Sequence, residues 1–140
     1  MMRDGYFLGV DVGSASVRAG LYSAQGARLS FATRPISQFH ASNARVEQSS
    51  AEIWQQVCAV VREAVASSGI SPDAIRSIGF DATCSLVALD ADGNGLSVSP
   101  DSPASQDIIM WMDHRAREET VRINATRDPA LCYVGGEVSI

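Results

Sequence analysis

Two β-rich runs, Tyr6–Val12 and Ala15–Ser23, are separated only by Gly13 and Ser14. A parallel pair needs a crossover of about a dozen residues or more, so this join can close only an antiparallel hairpin. A second turn, Ala24-Gln25-Gly26, leads into a third run at Ala27–Thr33, and the spacing predicts a three-stranded antiparallel meander. Pro35 lacks a backbone donor and is expected to end the third strand, after which the polar stretch Ser37–Val46 reads as a connecting loop.

The period then changes. Ser49 and Glu52 have capping-box spacing, Ile53, Trp54, Val57, Val60, Val61, Ala64 and Val65 recur on one face, and Gly69 supplies a stop. Ser71-Pro72-Asp73 begins a short turn or helix. Ser77–Phe80 and Leu86–Leu89 read as short strands around a polar insert, Asp81–Ser85, and Asp90–Gly95 reads as a turn. Ser97–Gln106 is read as a surface loop, Ile108–Met112 as a buried strand, and Asp113 as the cap of a helix running to about Ala125. Asp128-Pro129 starts something new, and GGEVSI carries no stop signal, so the chain reads as cut.

A chain of 140 residues makes one domain or a part of a larger one. With 11 Lys and Arg against 16 Asp and Glu, the formal charge is −5, and no basic stripe offers nucleic acid a footprint. Cys58, Cys84 and Cys132 are odd in number and lack paired spacing, which argues against a disulfide framework or a zinc site and for a reducing cytoplasm. Cys58 and Cys132 read as buried bystanders. His40 and His114 have no metal-ligand company, and the N-terminal MMRDGYFLGVD is neither a signal h-region nor a membrane span.

Candidate chemistry lies in three places. In GVDVGSASVRAGLY, a tight turn can present backbone N–H groups and small hydroxyls to a phosphate, and a carboxylate just before it can hold Mg²⁺ directly or through water. Asp11, Gly13, Ser14 and Ser16 have that order. The same residues would equally make an ordinary hairpin turn. The insert Asp81-Ala82-Thr83-Cys84-Ser85 can read sugar hydroxyls, or be a strand bulge around a buried Cys84, which in neither case is a nucleophile. Trp111, Asp113 and Arg115 alternate at a strand end; they offer a carboxylate and a guanidinium to a sugar, or are a buried Trp, a helix cap and a solvated Arg.

The whole pattern resembles one family. GVDVGSASVRAGLY resembles the DxGTxS-type phosphate motif of FGGY carbohydrate kinases, and VEQSSAEIW (46–54) is similar to their Glu-Gln-then-Trp start of the first helix. GFDATCSLVALDADG (79–93) and IMWMDHRA (109–116) resemble the pentulose kinase branch, especially its D-ribulokinase-like members. YVGGEVSI (133–140) is similar to the next segment, where a Gly-Gly turn approaches the sugar site.

The resemblance implies an α/β, ribonuclease H-like half-domain of the actin, Hsp70 and sugar kinase superfamily. Its mixed sheet would be the meander followed by helix, strands and helix. Residues 1–140 would be an incomplete N-terminal FGGY domain, facing a cleft whose second, ATP-binding domain is absent. It implies ATP and Mg²⁺ as cofactors and a ketopentose such as D-ribulose as substrate, in the cytoplasm, with no nucleic acid or membrane partner; a homodimer is allowed. Asp11 would serve Mg²⁺ and the γ-phosphate, with Gly13, Ser14 and Ser16 on the phosphate path; Ser14 stands where many relatives have Thr. Thr83, Cys84, Ser85 and Asp113 would bind sugar, with Asp81, Trp111 and Arg115 further candidates on that side. The general-base aspartate is expected beyond residue 140, so the isolated chain should be inactive and, with apolar surface uncovered, prone to self-association. Two alternatives stay open: a non-enzymatic truncated paralogue or isoform that binds sugar or a partner, and another actin-like ATPase module.

Overall fold

The computed structural model describes residues 5–41 and 44–139. Met1–Asp4, Ser42, Asn43 and Ile140 lie outside the described residues, and with them parts of the N-terminal stretch, the 37–46 connection and the last resembling segment.

In chain order the elements are β1 (Tyr6–Val12), β2 (Ser16–Ser23), β3 (Arg28–Pro35), β4 (Phe39–His40), β5 (Val46–Gln48), α1 (Ser50–Ser68), β6 (Ile75–Ala82), β7 (Leu86–Val87), β8 (Ile108–Ile109) and α2 (Arg117–Ala125). Single 3₁₀ turns occupy Pro72–Ala74 and Pro129–Val134. A four-stranded sheet has the order β3-β2-β1-β6, with the meander antiparallel and β6 parallel to β1. That parallel return is possible because α1 carries the chain across one face of the sheet.

Leu8, Val10, Val17, Ala19, Leu21 and Ala32 point from the meander onto Val57, Val60 and Ala64 of α1, and this is the hydrophobic core. Alternation along the strands meets the three-to-four-residue spacing on the helix, so two periods share one interface. The Ser49 hydroxyl accepts the Glu52 N–H at 3.3 Å, and Gly69 closes α1 at φ 70°, in the left-handed region.

Only half of the capping box forms. The Glu52 carboxylate turns instead to Ser37, accepting its N–H and its hydroxyl at 3.0 Å each, because the chain leaving β3 passes beside the helix start with donors to satisfy. Trp54 sits on the stripe read as core yet is 63% exposed: it borders an open groove with Val12, Phe80 and Val87.

A second sheet, β4-β5-β8-β7, is antiparallel throughout. Its strands are two or three residues long; β4 lies inside the stretch read as a loop and β5 begins at its last residue, Val46. Such short strands leave no alternation to detect, which also explains why β8 ends at Ile109 and not Met112. Strand β6 runs on through Asp81 and Ala82, paired with Asp11 and Val12, so the insert shrinks to Thr83–Ser85.

Three further expectations are corrected. Helix α2 starts at Arg117 with Ala116 at its N-cap position and no side-chain cap, the Asp113 carboxylate being engaged elsewhere. The 97–106 loop is not wholly superficial: Ser99 is buried. Cys84 and Cys132 are exposed, the former beyond the end of β6 and the latter on a 3₁₀ turn, while Cys58 on α1 is half-buried.

Candidate functional site

The β1–β2 turn is held from three directions. Gly13 N–H donates to the Ser16 carbonyl at 3.0 Å and closes the turn, while Thr83 N–H donates to the Val12 carbonyl at 3.1 Å from the end of β6. From the other side the Ser14 carbonyl accepts both the Gln38 and the Gln48 side-chain amides at 2.9 Å, which fills its two lone pairs. Arg18 folds back over the turn; a Cβ on Gly13 would lie 2.1 Å from its Nη2, so glycine makes room for the guanidinium. Arg18 Nη1 lies 3.3 Å from Asp11 Oδ2, both side chains being partly exposed. Asp81 is the register partner of Asp11 on the neighbouring strand and is itself exposed.

Next to this turn stands the shortened insert. Thr83 Oγ1 and Ser85 Oγ are 3.4 Å apart, and Ser85 Oγ accepts the Trp111 backbone N–H at 3.3 Å. The Trp111 indole N–H in turn donates to Ser14 Oγ at 2.9 Å, joining residues far apart in sequence. Ser14, Thr83, Ser85 and Trp111 are thus brought together, with Cys84 exposed between the two hydroxyl residues. A groove of about 270 Å³ runs beneath the insert, lined by Val12, Gln48, Trp54, Phe80, Thr83 and Ser85.

Asp113 and Arg115 form a different cluster. The Asp113 side chain is 0% exposed and accepts the Val46 N–H at 2.8 Å, Arg115 Nε at 2.8 Å and Arg115 Nη2 at 2.7 Å. Arg115 Nη2 also donates to Glu47 at 2.8 Å, and Nη1 to Ser99 Oγ at 2.9 Å and the Val98 carbonyl at 3.0 Å. Glu47, 2% exposed, accepts hydroxyl hydrogen bonds from Ser99 and Ser102 as well. The hydrogen bonds of Asp113 and Arg115 therefore go to protein partners behind the insert.

Burial pushes the Glu47 carboxyl up, but hydrogen bonds from Ser99, Ser102 and Arg115 outweigh it and hold the group below the usual carboxylate range. Asp113 behaves likewise: burial raises it, and Arg115 with the Val46 N–H brings it lower than an ordinary aspartate. Arg115 is raised by its hydrogen bond to Asp113 against the opposing effect of burial, with Glu47 adding to the rise.

Several members of the site have no mark in the strand and turn pattern: Arg18, Gln38, Gln48, Glu47 and Ser99. Glu47 and Gln48 carried one usable signal, two long polar side chains directly ahead of a helix cap, in a segment that turns out to be wholly buried. Buried groups of that kind must find partners, and here they find the Ser14 carbonyl and Arg115.

Among the described residues no three His, Cys, Asp or Glu side chains gather as a metal cage. Asp11 and Asp81, on adjacent strands and open to solvent, are nevertheless the donor set that suits Mg²⁺, which keeps several waters and takes only one or two protein carboxylates. No helix among the described residues is long and apolar enough to cross a membrane.

An antiparallel meander with a parallel fourth strand, one covering helix and a glycine-serine turn at the first hairpin defines the actin/Hsp70-like fold of sugar kinases. A gluconate kinase from Lactobacillus acidophilus superposes with a TM-score of 0.74 over 88% of this chain and 23% of its own, at 18% identity. A xylulose kinase from Rhodospirillum rubrum gives 0.71 over 88% and 24%, at 23% identity. Residues 6–134 match the N-terminal domain of the FGGY family of carbohydrate kinases, and the chain belongs to that family. It is 46% identical over 137 residues to a D-ribulokinase of Saccharomyces cerevisiae, covering 96% of this chain and 19% of that protein. It is 44% identical over 135 residues to the FGGY carbohydrate kinase domain-containing protein of Homo sapiens, covering 96% and 24%. The chain thus spans about a fifth to a quarter of the length of these relatives.

Proposed function

We propose that this chain forms one wall of the active site of an ATP-dependent kinase that phosphorylates a ketopentose such as D-ribulose. The observation that carries the reading is the contact of a phosphate-type turn with a hydroxyl-bearing insert, fastened by the 2.9 Å hydrogen bond from Trp111 to Ser14. Phosphoryl transfer needs its two substrates in line and close, and little else from the protein beyond charge stabilisation. The likeness to a D-ribulokinase supports the pentulose as substrate.

In this reading Ser14 and Ser16 donate to phosphate oxygens, Gly13, whose N–H is spent on the Ser16 carbonyl, leaves room beside them, and Arg18 moves off Asp11 to meet the phosphoryl group. Asp11 holds Mg²⁺ directly or through water, with Asp81 beside it. The ion, when bound, neutralises charge on the phosphates. Thr83, Cys84 and Ser85 face the sugar with Trp111, while Asp113 and Arg115 hold that wall from behind. The bond from the γ-phosphorus to the ADP oxygen breaks as the terminal sugar oxygen attacks, and the hydroxyl proton leaves to a general-base carboxylate of the full-length kinase. Residues 1–140 alone should therefore catalyse no transfer.

Kinetics of the full-length enzyme with D-ribulose and MgATP test this. Asp11→Asn is expected to lower kcat roughly 100-fold or more while sugar binding survives, because the charge it removes acts on the phosphates. A near-normal kcat, or failure of the unsubstituted enzyme to phosphorylate any pentulose, overturns the reading.

A further inference from the structure

Trp111 reaches the phosphate-side turn with the only polar atom of its side chain. We propose that it is a positioning residue for phosphoryl transfer: its indole N–H fixes the Ser14 hydroxyl so that the O–H points outward as a donor to a phosphate oxygen of the nucleotide. The inference rests on the kinase reading above.

The chemistry is a matter of counting donors. An indole has one N–H and no acceptor, and a serine hydroxyl has one O–H and two lone pairs. Trp111 Nε1 spends its donor on Ser14 Oγ at 2.9 Å, so the hydroxyl oxygen is the acceptor of this pair and keeps its hydrogen free. That hydrogen cannot turn back on the Ser14 carbonyl, whose lone pairs are filled by Gln38 and Gln48 at 2.9 Å. Among the described residues no other protein acceptor takes it, so an acceptor from solution must.

Both ends of the bond are fixed. Gln48 is 2% exposed and also donates to the Ser37 carbonyl at 3.2 Å, so the turn backbone cannot drift. On the other side Met110, 2% exposed, donates its N–H to the Val46 carbonyl at 3.0 Å and anchors the strand end that carries Trp111. The Trp111 ring itself is 53% exposed, free to meet a sugar with its apolar face while its N–H serves the turn. One side chain thereby touches both substrates' territory, and preorganised donors of this kind act mainly in the transition state.

Trp111→Phe in the full-length enzyme keeps the ring and removes the donor. It is expected to lower kcat about 2- to 12-fold, the size of one neutral hydrogen bond, with the sugar KM held within about twofold. In a Ser14→Ala background the same change should cost nothing further, and Ser14→Thr should restore sensitivity to it. Equal losses in both backgrounds, or a rise confined to the sugar KM, overturn the inference and leave the kinase reading standing. An enzyme that phosphorylates no pentulose takes both down. A readout free of activity is the Trp111 indole of the full-length enzyme, identified by its loss in Trp111→Phe. Its ¹⁵N–¹H resonance should move upfield and exchange faster on Ser14→Ala, and an unmoved resonance overturns the hydrogen bond and the proposal with it.

Discussion

The two sheets of this molecule are held together by opposite means. In the larger one, Leu21 and Val17 are 0% exposed, as is Val60 of α1, which covers the meander with almost nothing but aliphatic side chains. In the smaller one, strands of two or three residues bury too little apolar surface to stand alone, and polar contacts join them to the 97–107 loop: Arg115 between Glu47 and Asp113, Ser99 and Ser102 on Glu47, and Arg45 on Asp101. The core tolerates imprecision, since dispersion and the hydrophobic effect are non-directional. The polar cluster does not, because each buried charge must keep every partner. That precision sits next to Trp111 and Ser85, the wall proposed to face the sugar.

The largest expected effect breaks the polar side of this contrast. Arg115→Met keeps the aliphatic stem and removes the charge, leaving two carboxylates buried without a cation; urea denaturation should show a loss of about 3–5 kcal/mol. The dependence on pH carries the diagnosis. Glu47 and Asp113 lie below their ordinary values of 4.5 and 3.8 when folded, so their contribution is complete above those values and is lost as pH falls through the lowered ones. In the variant burial still raises the same carboxyls while the lowering by the Arg115 side chain is gone, so acid relieves part of the deficit. The two stability curves should converge below about pH 4, and a deficit independent of pH would show that packing, not charge, was lost.

Leu21→Ala strikes the other side. Removing a fully buried side chain from the meander should cost about 2–5 kcal/mol through lost transfer energy and a cavity. Here the deficit should stay constant from neutral pH to pH 4, since Leu21 belongs to the aliphatic core and not to the carboxylate cluster. Measured beside Arg115→Met by the same denaturation, it separates the two kinds of cohesion by their pH slopes. A Leu21→Ala deficit that shrank with acid would mean that the two sheets unfold as one electrostatically coupled unit.

The same contrast explains how much could be read beforehand. The meander, α1 with its Ser49 cap and Gly69 stop, and the Gly13–Ser16 turn were legible because each rests on local rules: strand alternation, helix spacing and turn chemistry. Strands β4 and β5 were not, since two or three residues give no period and β8, the second partner of β5, lies some sixty positions away. Asp113 shows the limit most clearly. Its place just before a helix fits an N-cap, yet its carboxylate goes to the Val46 N–H and to Arg115, a choice fixed by tertiary neighbours. Of the candidate site, the Gly13–Ser16 turn and the Thr83–Ser85 hydroxyls followed from short motifs. The Gln48 and Trp111 clasps on Ser14 did not, because a side-chain hydrogen bond across such a span leaves no local pattern.

The smallest expected effect lies where the two regions meet. Trp54 stands on the first turns of α1 beside the groove that β7 and the end of β6 also border, and it is 63% exposed. Trp54→Gln exchanges it for a residue of equal or better helix propensity and removes little buried area, so the stability of residues 1–140 should change by no more than about 0.5 kcal/mol. Exposed Phe80 and Leu86 make this a sticky neighbourhood, and a second copy of the chain settling there would bury the indole. The measurement is therefore a pair of thermal melts at low and high protein concentration. A small change at both concentrations fits a groove open to water. A loss well above 1 kcal/mol that grows with concentration shows instead that association, not the fold of one chain, holds Trp54.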